Sequence, residues 1–555
     1  MSPRSVGQSV AKAALVVAVA TLLARLAGFA RTMVFSGSVG TSPVGDAYQT
    51  VNTLPNVVYE VAAGGALAAI AVPLVAGQLG AGRREDSDRS ASALLTWAVV
   101  VLVPLSAAVF LAAPWLSDLL LDDRARPGSG DLGTTMLRIF APQVALYGIG
   151  VVLAGVLQAH RRFLAAALAP LFSSLVVIVA YVAYGSLVPG PVSADSVGDG
   201  AVWVLAGGTT AGVLVLSLPL LVPALRTGTR LRPTLTFPEG LGRRAASLAG
   251  AGVLALAAQQ SAVALTLWLT HAPRTVDIGV VNVYAIIQAL YLLPYAVLAV
   301  PVATAAFPAL AHAEGATDDA SPRAAATLSR SLRGIILLTS GAAATLITVA
   351  RPIGEFFLAW DRGANGAGRA ALGALPGGLA AWAPGLVGFS IAALLTRALY
   401  VRGRPFHAAG AVAGGWLVAG LLPLAWIPVG SDAGTTLGLL GISSTLGMTG
   451  SALALVLLVR RAWGPAALAG SGRTVGAAVV SAAVAIATGD TVSRLMDGSG
   501  LLGSLLAGLV IGAATMGVHL VVMSFADRAG FRQLVERGRI RRQKQDETQG
   551  QERGR

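Results

Sequence analysis

Residues 140–163 read FAPQVALYGIGVVLAGVLQAHRRF. An Ala-Pro pair opens the stretch, apolar and small residues fill it, and a basic turn closes it. The apolar run matches the roughly 30 Å of bilayer hydrocarbon that a helix must cross, and arginines mark the cytoplasmic end of such a run. The pattern returns 242 residues later as WAPGLVGFSIAALLTRALYVRGRP (382–405). A second pair recurs at an offset near 236: VGDAYQTVNTLPNVVYEVAAGGALAAIAVP (44–73) and VVNVYAIIQALYLLPYAVLAVPVATAAFP (280–308). Each has a tyrosine after its start, a proline in its middle and a proline at its close. Two similar offsets predict two six-helix halves that are parallel copies. Such halves are related by an axis along the membrane normal, as in alternating-access transporters that bind substrate between their halves.

The rest of the chain agrees. Hydrophobic residues make up 55% of 555 and charged residues 12%, half the charged share of a soluble domain. We read fourteen spans: 13–35, 46–79, 91–114, 134–159, 165–186, 200–223, 246–270, 279–311, 331–358, 379–400, 407–428, 435–459, 474–491 and 500–525. The fold class is therefore an all-α polytopic membrane protein. A cytoplasmic N-terminus (1–12) leads into an N-lobe (13–223), and a cytoplasmic linker (224–245) joins that to a C-lobe (246–459). A C-terminal helix pair (474–525) and a basic tail (526–555), expected to be disordered, complete the chain. With the N-terminus inside, 29 of 40 basic residues fall on cytoplasmic segments and seven on outer loops. That bias places both termini in the cytoplasm. The net charge of +14 thus reports topology and the attraction of anionic membrane lipids, with no nucleic-acid partner implied.

Against this apolar background, polar residues inside spans mark substrate paths. In the first half they are Arg25, Arg31, Asp46, Gln49, Asn52, Asn56 and Glu60; in the second, Gln259, Gln260, Gln288 and Arg397. Arg25 and Arg31 stand in LLARLAGFARTMVF (22–35), where each costs roughly 2.5–3.5 kcal/mol at a helix centre. Guanidinium groups bind phosphate bidentately, so the first inference is an anionic, phosphate-bearing substrate. The competing reading is internal pairing, Asp46 with Arg31 and Glu60 with Arg25. The candidate headgroup site is Arg25, Arg31, Asp46, Asn52, Asn56, Glu60, Gln260 and Gln288. Candidate hinges are Pro55, Gly64, Gly65 and Pro294, since a proline removes an intrahelical hydrogen bond.

No cysteine is present, which excludes disulfides and thiol catalysis. Lys12 and Lys544 are the only lysines, so there is no Walker lysine. The five histidines show no metal-ligand spacing. No catalytic residue, metal or cofactor is expected, and transport energy is expected from the membrane potential or an ion gradient.

RLAGFAR (25–31), GDAYQTVNTLPN (45–56), GVLQAHRRFLAAALAP (155–170), LPYAVLAVPVATAAFPALA (293–311) and LLTRALYVRGRP (394–405) together resemble the MurJ/MviN family of the MOP exporter superfamily. The resemblance covers about residues 10–525. It implies a MATE-like fold of fourteen helices and the flipping of lipid II, an undecaprenyl-pyrophosphate-linked peptidoglycan precursor, to the outer leaflet. It further implies a pyrophosphate held near Arg25 and Arg31, with Asp46 as the acidic residue opening the second helix. Where the family carries basic residues after the second-helix Pro-Asn, this chain has VVYEVAAGGAL (57–67), and Gln288 stands near the place of an eighth-helix arginine. The other readings are a MATE-like exporter of small cations, an exporter of another polysaccharide precursor, and a non-transporting scaffold for cell-wall synthesis or division proteins.

Overall fold

The computed structural model describes residues 3–121, 127–190, 192–238, 241–271, 273–312, 320–496 and 500–528. The basic tail beyond Arg528 lies outside the described residues, as do the side chains of the N-terminal segment 1–12. Among the described residues there is no strand, only an isolated bridge between Thr275 and Ser431.

In the first half, α1 (Pro3–Ser38) turns at Gly40 into α2 (Pro43–Tyr59). A π turn (Glu60–Gly64) carries the chain into α3 (Gly65–Gly80). Then follow α4 (Arg84–Leu111), α5 (Ala113–Leu120), α6 (Ser129–Phe140), α7 (Gln143–Ala159) and α8 (Phe163–Leu187). The first half ends with α9 (Asp199–Val202), a π turn (Trp203–Gly207), α10 (Gly208–Ser217) and α11 (Leu221–Leu225). The linker does not hang free. Residues 229–236 run along α4, where Arg232 N–H donates to Ser92 Oγ, Thr234 N–H to Thr96 Oγ1 and Trp97 Nε1 to Leu235 O.

The second half runs α12 (Leu241–Leu269), α13 (Val280–Pro294), a π turn (Tyr295–Ala299), α14 (Val300–His312), α15 (Ala320–Thr348), α16 (Ala350–Trp360) and α17 (Arg369–Trp382). After it come α18 (Gly385–Val401), α19 (Pro405–Trp426) and α20 (Ala433–Trp463). A 3-10 turn (Pro465–Leu468) leads to the C-terminal pair, α21 (Ser471–Leu495) and α22 (Gly500–Ala526).

The repeat read from sequence has backbone counterparts. Both Ala-Pro pairs break a helix, between α6 and α7 and between α17 and α18, the second break bending by 48°. Proline has no N–H and its ring disfavours helical backbone in the residue before it, so the same dipeptide breaks both copies. Each copy closes on a left-handed residue, Arg161 (φ 59°) and Gly403 (φ 64°), at the same 242-residue offset. The π turns at Glu60 and Tyr295 lie 235 residues apart.

Among the described residues twelve helices are long and apolar enough to span a bilayer, thirteen with the bent pair counted as one. Each of the fourteen expected spans except 46–79 has its counterpart there. Along 46–79 run α2, a π turn and α3, of which Ile70–Gly80 counts, among the described residues, as a shorter apolar helix.

By internal contacts the chain divides into two compact units, one of residues 1–289, 357–374 and 420–437 and one of residues 290–356, 375–419 and 438–555. Residues 357–374 and 420–437 group with the first unit through bonds such as Thr41 N–H to Asp361 and Ala433 N–H to Asp277. The first unit centres on Tyr48, Leu94, Met136, Phe140, Leu153 and Leu157, all fully buried. The second centres on α15, which packs against α14, α18, α21 and α22. The spanning window of α15 is 78% buried, whereas most other spans leave the larger share of their apolar surface uncovered. Exposed side chains such as Val179, Leu502 and Leu509 suit lipid and would be untenable in such number in water.

Candidate substrate site and the outer closure

Four arginines were read as lying in or at the ends of spans, and they divide in two. Arg138 lies over the Phe110 ring at 5.6 Å, and Arg397 donates to Ala393 O one turn back. Arg25 and Arg31 on α1 are exposed, and neither makes an ion pair or hydrogen bond among the described residues. The charge of Arg31 acts on Tyr48, Tyr147 and Tyr181. Those rings belong to a wall built by α1, α2, α7 and α8. Tyr48 Oη lies 2.8 Å from Tyr181 Oη and 2.7 Å from Thr209 Oγ1, and Phe35 packs on both rings. A rigid aromatic and hydroxyl wall thus stands near an unpaired guanidinium.

Asp46 is placed elsewhere. Ser42 caps α2, its hydroxyl accepting from Gly45 N–H, and Asp46 falls in the first turn, where the helix dipole favours an acid. Its side chain is 1% exposed, and His271 Nε2 lies 3.8 Å from its carboxylate. Thr50 links the two: its hydroxyl donates to Asp46 O and lies 2.9 Å from His271 Nε2. His271 Nδ1 sits 2.7 Å from Leu267 O. Asn282, with its amide oriented to pair oxygen with a donor, accepts from Asp46 N–H and donates to Gly45 O. Asp46 therefore joins the outer ends of α2, α12 and α13.

Beside this cluster lies a knot around Asp361, in the loop after α16. Its carboxylate accepts from Ser36 Oγ (2.5 Å), Thr41 N–H (2.8 Å), Thr41 Oγ1 (2.9 Å) and Gly363 N–H (2.7 Å). Trp360 Nε1 donates to Met33 O, while Arg362 donates to Ser38 O and Gly190 O. Gly363 and Gly368 lie so close to Thr41 O that neither has room for a Cβ. Burial pushes the Asp361 carboxyl up, and the four hydrogen bonds pull it back only in part. The knot ties the α1–α2 turn to a loop 320 residues away.

The remaining candidates are dispersed. Glu60 begins the first π turn, and its carboxylate folds over Gly64, which a Cβ would obstruct. Gly65 opens α3. Asn52 Oδ1 is buried without a hydrogen-bond partner, and Asn56 is half-buried one turn further on. Gln260 is buried on α12, which packs against α2, the π turn and α3. Gln288 and Thr266 hydrogen-bond Tyr284. Pro55 lies inside α2, and Pro294 ends α13 directly before its π turn. Such turns cluster at functional positions. Sequence reasoning missed His271 and Asp361 as partners; the polarity of Asp361 just after an apolar helix was the available signal. Among the described residues no group of three His, Asp or Glu is arranged to hold a metal.

These features define a multi-pass helical membrane protein of the two-bundle exporter type. Solved structures share its fold. "Lipid II flippase MurJ, inward closed conformation" superposes with a TM-score of 0.69 at 16% identity, covering 93% of this chain and 99% of that one. An inward-facing multidrug-resistance MATE transporter of the MOP superfamily superposes with a TM-score of 0.62 at 16% identity, covering 82% and 98%. The family model described as "Lipid II flippase MurJ" matches residues 35–511, and the chain belongs to that family. The "Probable lipid II flippase MurJ" of Rhizobium meliloti (strain 1021) is 30% identical over 345 residues, which span 60% of this chain and 60% of that relative.

Proposed function

We infer that the protein carries a lipid-linked, pyrophosphate-bearing cell-wall precursor, with lipid II as the substrate, across a bacterial cytoplasmic membrane by alternating access. Both termini face the cytoplasm in this reading. The observation that carries it is the pair of exposed arginines, Arg25 and Arg31, left without ion-pair partners among the described residues in the apolar stretch of α1. Two cations kept in a spanning segment at that cost call for an anion that arrives from outside the protein.

Arg25 and Arg31 would receive the pyrophosphate oxygens through charge-assisted hydrogen bonds. The tyrosine wall would limit how the headgroup sits. The π turns after Pro55 and Pro294 would absorb the bending that a change of access requires. Membrane potential acting on the cationic site is one source of the driving energy. Export of a small cation fits less well: Glu60 offers a half-buried acid, but the exposed cations Arg25 and Arg31 would repel such a substrate.

The test is rescue of a bacterium depleted of its own lipid II flippase, with membrane expression confirmed. Growth restored by the wild-type chain is the expected result. Failure of a well-expressed chain, together with no binding of purified lipid II, would overturn the assignment.

A further inference from the structure

The second unit holds a cleft of about 820 Å³ at the start of α15. Its wall carries Arg323, Arg330 and Arg333, and its floor is the turn Ala466–Gly470 before α21. The three arginines share one face of α15, since residues seven apart nearly eclipse and residues three apart are neighbours. Ser329 Oγ donates to Ala469 O at 2.6 Å and fixes the floor to the wall.

The arginines are not equivalent. Arg333, with its side chain 12% exposed, donates to Asp527 Oδ1 at 2.8 Å and to Thr474 Oγ1 at 3.0 Å. Thr474 also donates to Asp527, which closes a three-member brace between α15, α21 and the end of α22. Gly470 (φ 75°) lies against the Arg333 guanidinium, where an added Cβ would come within 3.3–3.5 Å. Arg330 is exposed and oriented by its own helix, donating to Ala326 O and Thr327 Oγ1. Arg323 is exposed and has no ion-pair partner among the described residues. Among the described residues one acid therefore neutralises one of three cations, and the cleft keeps a positive balance.

Depth decides the ligand. Arg333 is the last charged residue before the apolar run IILL (335–338) and so marks the hydrocarbon boundary. The interfacial layer on each side of a bilayer is roughly 5–7 Å thick. Arg330 stands about 4.5 Å along the helix from Arg333, at phosphate level, and Arg323 about 15 Å, beyond it. A soluble anion would use the outer arginine as readily as the inner ones. A phospholipid phosphate is held at the level of Arg330 by its own acyl chains.

We propose that this cleft binds the phosphodiester of an anionic phospholipid from the leaflet that the charge distribution assigns to the cytoplasm. Arg330 is the direct ligand, Arg333 the braced second cation and Arg323 the source of long-range attraction. The site is separate from Arg25 and Arg31, and it would couple the lipid environment to the contact between α15 and the C-terminal pair.

Native mass spectrometry of the intact purified chain tests it, with phosphatidylglycerol, phosphatidylcholine and inorganic phosphate as probes. Wild type should retain phosphatidylglycerol over phosphatidylcholine. Each of Arg323→Gln and Arg330→Gln should weaken phosphatidylglycerol about fivefold and the double variant about 25-fold. Arg330→Lys should keep most of the binding, and Arg460→Gln with Arg461→Gln, at another basic helix end, should leave it unchanged. An unchanged melting temperature would show that the double variant is folded. Equal lipid occupancy in the folded double variant would overturn the proposal. So would displacement of the lipid by an equal concentration of inorganic phosphate, which would make the ligand a soluble anion.

Discussion

The two halves share a backbone and differ in charge. Each has an Ala-Pro break, a left-handed closing residue and a π turn, at offsets of 235 to 242 residues. The first π turn is EVAAG with a carboxylate folded over a glycine, and the second is YAVLA, wholly apolar but for a phenol. Exposed, unpaired arginines occur on α1, while its counterpart α12 offers Gln259 and Gln260 in its interior. The backbone repeat is what a rocking mechanism uses, and it needs no charge. On the proposed function, exposed cations in one half would suffice for a single headgroup.

The outer knot is where the halves stop being equivalent, since Asp361 of the second half holds the α1–α2 turn of the first. Asp361→Ala would leave buried donors at Ser36, Thr41 and Gly363 without an acceptor. At ~1–3 kcal/mol for a buried group left unpaired, the expected loss is about 3 kcal/mol or more. Thermal unfolding of the purified protein should show it, together with faster labelling of a cysteine introduced at Ser38. A variant as stable and as slowly labelled as wild type would remove the knot from the account.

The closing turns offer a smaller contrast. Arg161 holds a left-handed conformation that strains an L side chain by roughly 1–2 kcal/mol, and Gly403 holds it freely. Arg161→Gly should therefore be neutral or stabilising by up to about 1 kcal/mol, and Gly403→Ala destabilising by about 1 kcal/mol. Equal effects of both on the unfolding midpoint would break the equivalence of the two turns.

The smallest effect expected is that of pH. Burial raises the Asp361 carboxyl above its unfolded value, so protonation favours the folded knot. Its contribution should be greatest below the ordinary aspartate range and decline as pH rises through the raised value. Measured relative to a free thiol at the same pH, because the thiolate is the reacting form, labelling at position 38 should slow slightly on mild acidification, and Asp361→Asn should abolish that difference. Labelling that quickens on acidification would reverse the sign.

Much of this was legible in sequence, and the failures share a cause. The Ala-Pro pairs at 141–142 and 383–384 marked the repeat, but the spans 134–159 and 379–400 were read across them, and the structure breaks both there. Pro55 and Pro294 signalled interruptions because proline acts on its own helix, though not that π turns would follow. The partner of Asp46 was not legible. Arg31 looked close because it lies on the adjacent helix, while Thr50 and His271, which meet, are 221 residues apart. Apolar periodicity tells which residues avoid lipid but not which of them pair. Asp361 was hidden likewise, 325 residues from Ser36.

The central claim is that Arg25 and Arg31 serve a ligand while the buried acids serve the closure. The direct test is binding of purified lipid II to wild type, to Arg25→Ala with Arg31→Ala, and to Asp361→Asn, with melting temperatures measured on the same preparations. Each charge-assisted bond to phosphate is worth roughly 1.5–3 kcal/mol. The account predicts that the arginine variant binds at least about tenfold more weakly and melts like wild type, while Asp361→Asn melts lower and binds normally. Undiminished binding by a folded arginine variant would contradict it.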